Sequence, residues 1–237
     1  METGHNYKKT NETSYALGGS LTYELLTTRP SAVQKVYFHT DFAKSAAYPE
    51  FISLCKQSKL SYEINDRIFN RLANKESCFV IGEFRKFTAP VDASQNHLVL
   101  VNPGNMGNLG TIIRTAVGFN IHDLVIIRPG ADIYDPKVIR ASMGAFFHIR
   151  FSYFEQFSAY QHILQDQQIY TFRLDGANSL KEVRPSRKFS LVFGNESRGL
   201  PPEFAAIGTG VVIRHSTEID SLSLPIAVSL ALYAFTE

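Results

Sequence analysis

The chain has 237 residues, 44% of them hydrophobic and 19% charged, with a formal net charge of +2. That length allows one large domain or two small ones, and that balance argues against a disordered chain. So small a charge neither requires nor excludes a nucleic-acid partner, because a local basic patch matters more than the sum.

Two cysteines, Cys55 and Cys78, do not support a disulfide framework and fit a reducing cytosol. The histidines are scattered and no CxxC or HExxH spacing occurs, so no metal site is expected. No apolar run approaches the ~20 residues of a membrane helix. The polar start lacks the apolar core of a signal peptide. A cytoplasmic protein without membrane or metal partner is expected.

Residues 1–14 read as a mobile tail. Beyond them helices are predicted over 21–27, 50–57 and 65–73, the last opened by a possible cap at Asn65 or Asp66. Strands are predicted over 34–39, 60–64 and 78–83. This makes residues 15–83 a compact α/β unit. Residues 84–96, with Pro90 and many polar groups, read as a linker.

From residue 97 a second α/β series begins. Strands are predicted over 97–101, 123–127, 148–153, 168–172, 189–193 and 210–213, most of them separated by helical patterns. Buried apolar strands alternating with helices imply a mostly parallel sheet covered on both faces.

Three stretches of this second series stand out. In the first, an apolar strand meets a turn containing Gly104, Gly107 and Gly110 and then a helix. Backbone N–H groups in such a turn can meet a ligand or a phosphate. Leu109, Ile112, Ile113, Ala116 and Val117 make one apolar stripe. Arg114 lies off it, among the small residues Thr111, Thr115 and Gly118, which would let a second surface approach closely. An ordinary solvated arginine is the commoner case. The spacing is neither a dinucleotide fingerprint nor a P-loop.

The second stretch, 191–202, runs from a buried strand into a polar turn with Glu196, Gly199 and two prolines. Either it is an ordinary connection or its backbone grips a ligand at the C-terminal end of a parallel strand. The third, 211–235, crosses a polar loop to a last helix that Ser221 or Ser223 can cap, with Pro225 in its first turn. Leu224, Ala227, Val228, Ala231, Leu232 and Phe235 form the apolar stripe of that helix.

Taken together and in this order, the three stretches resemble the SpoU (TrmH-type) branch of the SPOUT RNA methyltransferases. Asn108-x-Gly110-x-x-x-Arg114 is similar to the family's first motif, and Asn105 also sits near the asparagine position. Phe193-Gly-Asn-Glu196-x-x-Gly199-Leu200 resembles the second motif. Ser221-Leu-Ser-Leu-Pro-Ile-Ala227 resembles the third, except that Ser223 stands where the family usually has asparagine. Residues 15–83 look like the small RNA-binding domain, similar to ribosomal protein L30e, that precedes the catalytic domain (here 97–237) in many members.

The resemblance implies an α/β parallel-sheet domain with a deep trefoil knot. It implies S-adenosylmethionine as cofactor, held by Gly194, Ile213 and Leu222 with Phe193, Gly199 and Ser223 nearby. It also implies a homodimer in which Arg114 reaches the partner's cofactor. The activity implied is methylation of a ribose 2′-hydroxyl in RNA, ribosomal RNA before transfer RNA; the alternative is an inactive RNA-binding protein of the same fold. Arg114 would orient phosphate and 2′-oxygen, and Asn108, Glu196 and Ser223 would shape the site. Lys56, Arg67, Arg71, Arg85 and Lys86 are the candidate RNA-backbone contacts, with Lys59 and Lys75 in the same basic set.

Overall fold

In the computed structural model, residues 7–72 and 78–236 are described, so expectations for residues 1–6, for Ala73 and for Lys75 lie outside the described part. The chain folds into two compact units, one of residues up to 87 together with 132–148, the other of 88–131 together with 149–237.

The first unit holds β1 (Thr13–Leu17), α1 (Gly19–Thr28), β2 (Val33–Phe38), α2 (Tyr48–Gln57), β3 (Ser61–Ile64), α3 (Asp66–Leu72) and β4 (Val80–Arg85). Its sheet runs β1-β4-β2-β3. Strand β4 is antiparallel to both β1 and β2, and β3 is parallel to β2. Helix α1 lies so close on β4 that a Cβ added at Gly82 would come within 2.8 Å of Leu25. Strand β1 corrects the expected tail, since Thr13 and Ser14 belong to it. Ser14 is buried and its hydroxyl donates to the Tyr134 carbonyl at 2.5 Å. Asp66 does not cap α3 in the expected way: its carboxylate accepts the backbone N–H and the hydroxyl of Thr40, each at 2.8 Å.

The second unit holds β5 (His97–Val101), α4 (Met106–Gly118) and β6 (Asp123–Ile127). Helix α5 (Pro136–Ala141) follows in the chain but packs on β1 in the first unit. Then come β7 (Arg150–Phe154), α6 (Phe157–Gln161), β8 (Gln168–Phe172), β9 (Asn178–Ser179), β10 (Phe189–Phe193), β11 (Thr209–Val212) and α7 (Leu224–Thr236). The seven strands form one sheet in the order β7-β6-β5-β10-β8-β11-β9, and every pairing is parallel. β5, β6 and β10 are buried along their whole length, as strands covered on both faces must be.

The compact units depart from a 15–83, 84–96, 97–237 division in two places. Phe84 and Arg85 continue β4, while Ala89 pairs with Phe151 and the Asp92 N–H donates to Asp123 at 2.7 Å. The expected linker is thus claimed from both ends by backbone pairing. Residues 132–148 leave the second unit because Phe146 and Phe147 pack around Phe84, with ring centroids 6.2 and 5.4 Å from it. Among the described residues no helix is long and apolar enough to cross a membrane.

Candidate functional site

The parallel sheet sets the place of the site. Consecutive strands β5, β6 and β7 spread one way, while β10 and β8 lie on the other side of β5. At such a reversal the loops leaving the C-terminal strand ends diverge and open a crevice. Loops after β5, β10 and β11 carry the three stretches singled out in the sequence.

The turn after β5 enters α4 through Asn105, whose side chain accepts the Asn108 N–H at 3.0 Å and caps the helix. Asn102 stands at φ 54°, in the left-handed region that asparagine tolerates better than most residues. The loop after β10 folds back on itself: Asn195 and Gly199 exchange backbone hydrogen bonds at 3.1 and 2.9 Å. Gly199 takes φ 68°. A Cβ at Gly194 would lie 2.0 Å from the Gly199 carbonyl carbon, so only glycine fits there.

Glu196 joins these two loops. Its carboxylate accepts the backbone N–H groups of Gly104 and Asn105 at 3.1 and 3.0 Å, and the Asn108 amide at 3.4 Å. Beside it the Asn195 amide donates to the Asn102 carbonyl at 2.8 Å. Burial pushes the Glu196 pKa up, but the backbone N–H donors of Glu196, Gly104 and Asn105, with the Asn108 amide, outweigh it. The carboxyl is held below its ordinary value. So held, Glu196 fastens the first loop to the second and is a weak proton acceptor.

A cavity of about 510 Å³ opens beside this joint. Phe193, Gly194, Glu196, Gly199, Ile213 and Leu222, all singled out in the sequence, line it. Its walls mix apolar side chains, with Phe172 stacked on Phe193 at 4.3 Å, and polar ones, among them Arg173, Asp175, His215 and Ser221 and the 194–199 loop. Ser221 lines it; Ser223, Asn108 and Arg114 are not among its lining residues. Neither Ser221 nor Ser223 caps α7 by its side chain. The Ser223 carbonyl accepts the N–H groups of Ile226 and Ala227 at 3.0 Å instead. Leu224, Val228, Ala231, Leu232 and Phe235 are buried as the stripe requires.

Arg114 is exposed on α4 and, among the described residues, has no hydrogen-bond or ion-pair partner. Thr111 and Thr115 turn their hydroxyls back onto the Gly107 and Thr111 carbonyls of the helix, each at 3.0 Å. Helix α4 packs against α7, whose outer side exposes Ile226, Leu230 and Tyr233 at 51, 42 and 54%.

In the first unit Lys56, Arg67, Arg71 and Arg85 are exposed, as is Lys59. Lys86 is not a free cation. Its ammonium sits over the rings of Tyr7 and Tyr134, donates to the Lys9 carbonyl at 2.8 Å, and lies 3.9 Å from Asp132. Sequence alone does not single out Asn195 or Arg173 as site residues. Asn195 stands inside the second motif; Arg173 carries no local signal, since its place follows from the pairing of β8 with β11.

A model described as the SpoU rRNA Methylase family matches residues 95–233. The chain is 26% identical over 187 residues to an uncharacterized tRNA/rRNA methyltransferase of Synechocystis, a match covering 76% of this chain and 68% of that protein. It is also 26% identical over 134 residues to the 23S rRNA (guanosine(2553)-2′-O)-methyltransferase of Bacillus subtilis, 54% of this chain and 52% of that one. The matched stretch thus spans about half the length of the Bacillus protein. Among solved structures, the AdoMet-bound rRNA methyltransferase from Sinorhizobium meliloti shares the fold. Its TM-score is 0.80 at 23% identity, over 94% of this chain and 86% of that one.

Proposed function

The chain belongs to the SpoU rRNA methylase family, and from that premise we propose that it transfers a methyl group from S-adenosylmethionine to a ribose 2′-hydroxyl of RNA. The observation that carries this is the Glu196 joint, which brings the first two motifs together at the rim of a cavity that residues of the third also line.

The residues present suit the donor. An adenosyl group needs flat apolar walls and backbone donors and acceptors, which Phe193, Gly194, Gly199, Ile213 and Leu222 supply, with Ser223 nearby. When bound, the sulfonium supplies a methyl carbon with a neutral thioether as leaving group. The rest falls to the protein. A ribose hydroxyl is a poor nucleophile, so it must be oriented, its proton must pass to solvent as the methyl transfers, and the negative charge that this leaves on the oxygen must be stabilised. Arg114 orients the hydroxyl and stabilises that charge: its planar guanidinium offers a fork of donors to a phosphate and the 2′-oxygen together. Glu196 and Asn108 hold the turn before α4 in place, and Ser223 takes the position of the family asparagine with a shorter reach.

Arg114 acts on the donor pocket of a second copy. This reading is supported by its position outside its own pocket lining and by the apolar face of Ile226, Leu230 and Tyr233 on the adjoining α7. A face of that kind on a terminal helix calls for a partner. After β11 has run on the far side of β8, α7 returns to pack on β10 and α4. That path supports a chain end threaded as a deep trefoil knot. The mixed sheet of the first unit supports an L30e-like RNA-binding domain, with Lys56, Arg67, Arg71 and Arg85 along the RNA backbone. Ribosomal RNA in the cytoplasm is the substrate we propose, a reading supported by the rRNA methyltransferases among the relatives.

The test is transfer of labelled methyl from S-adenosylmethionine to total RNA from cells lacking the gene. A 2′-O-methyl product resists alkaline cleavage at the next phosphate, so label is expected in an alkali-stable dinucleotide from ribosomal RNA. Label confined to transfer RNA would reassign the substrate, and no label in any RNA would remove the activity.

A further inference from the structure

Outside the second motif the cavity wall carries two charged side chains, Arg173 and Asp175. Arg173 follows the last residue of β8 and lines the cavity wall. Its side chain is only 14% exposed, and its Nε is sealed from solvent without a hydrogen-bond partner. The nearest carboxylate oxygen, Asp175 Oδ1, is 3.3 Å from that Nε but too far off the N–H direction to accept it, and Asp175 itself is 79% exposed. The backbone fixes the position on both sides. The Arg173 N–H donates to the Val211 carbonyl at 3.0 Å, and its carbonyl accepts the Gly176 N–H at 3.2 Å. Gly210 keeps the space clear, since a Cβ there would stand 3.2 Å from a terminal guanidinium nitrogen and 3.6 Å from Gly176.

A buried guanidinium with an unpaired N–H is costly, and a bound anion with two oxygens in one plane relieves the cost. We propose that Arg173 recognises the α-carboxylate of the amino-acid tail of the methyl donor, an inference that rests on the donor reading of this cavity. The apolar walls take the adenosyl part. Arg173, on the β8 side, then selects donors that carry a carboxylate and fixes the end of the tail opposite the ring. Arg198 and His215 also line the cavity but sit on the loops after β10 and β11, and Glu196 is already committed to Gly104 and Asn105. Asp175 is 79% exposed, so solvent screens its charge. The same guanidinium chemistry would suit a phosphate of the RNA, and the test separates the two sources.

Calorimetric titration of the full chain with S-adenosylhomocysteine and with its decarboxylated analogue, which keeps the amine, reads the contact without any turnover. Wild type is expected to bind the carboxylate form at least tenfold more tightly than the decarboxylated one. Arg173→Gln is expected to lose that preference, with the decarboxylated form bound within twofold of wild type and the affinity for total ribosomal RNA unchanged. Arg173→Lys, which keeps the charge, should recover part of the preference, and an unchanged melting temperature in either variant excludes misfolding. Equal weakening of both ligands, or a loss confined to RNA, overturns the assignment. Failure of wild type to bind either ligand would overturn the donor reading of the cavity itself.

Discussion

The Oε1 of Glu196 accepts the backbone N–H of Asn105 at 3.0 Å, so the residue that caps α4 is pinned by a carboxylate from the loop after β10. Removing that carboxylate frees the turn at both Gly104 and Asn105. Glu196→Ala is expected to lower stability by about 1–2 kcal/mol, the scale of partly exposed charge-assisted hydrogen bonds, and to cut methyl transfer more than tenfold through misplacement of α4. Glu196→Gln keeps one acceptor oxygen and should retain part of both. Thermal melts and turnover check the two effects together.

The same carboxylate gives the joint a pH dependence. An unfolded glutamate titrates near 4.5, and the folded group lies lower because four donors outweigh its burial. Its stabilising contribution is therefore complete above that value and is lost as pH falls through the folded pKa. Melting temperature followed down from neutral pH should drop less steeply below 4.5 in Glu196→Gln than in wild type.

Gly194 tests the close approach of the loop to its own strand. A Cβ at this position would lie 2.0 Å from the Gly199 carbonyl carbon and 2.2 Å from the Leu200 nitrogen, so Gly194→Ala must move backbone. The cost expected is at least ~1–3 kcal/mol, as for an overpacked core, with donor affinity lost as the cavity wall shifts. Denaturant unfolding and titration with S-adenosylhomocysteine measure the two parts.

His97 tests the opposite end of the sheet. It is buried, with Nδ1 2.9 Å from the Tyr160 hydroxyl, which in turn lies 2.7 Å from Ser190, and Nε2 2.9 Å from the Asp92 carbonyl. Burial holds its pKa below 6.5 despite the Asp92 carbonyl and the nearby Asp123 carboxylate. Below 6.5 the unfolded chain binds a proton that the folded one refuses, so stability is whole above 6.5 and falls with pH until the folded value is reached. His97→Ala should cost about 1–3 kcal/mol at pH 7 and flatten that slope, with no change in donor binding.

On α7, Leu230→Asp places a charge in the exposed apolar face and should give a monomer by light scattering. Methyl transfer should fall with it, because the role proposed for Arg114 requires the donor pocket of a second copy.

Much of the second unit was legible in the sequence. The stripes of α4 and α7 follow from helical periodicity, and β5, β6 and β10 from unbroken apolar runs, because strands covered on both faces need nothing else. Less was legible where long-range packing decides. Thr13–Leu17 lacks alternation and becomes a strand only because β4 lies beside it. Residues 132–148 read as part of the second series, yet Phe146 and Phe147 go to the cluster around Phe84. Lys86 looks like any surface lysine until Tyr7 and Tyr134 close over it. Asn108 and Glu196 were visible as types at spacings; that Glu196 spends its oxygens on backbone N–H groups could come only from the fold.

The most direct measurement is a map of 2′-O-methyl groups in total RNA from cells carrying the wild-type gene, no gene, or Arg114→Ala, with donor binding to the purified variant measured alongside. One ribosomal position should lose its methyl group both without the gene and with the variant, whose turnover falls at least ~100-fold, the scale of one lost charge-stabilising donor, while donor affinity stays within about twofold. A methylation map unchanged by Arg114→Ala would contradict the account.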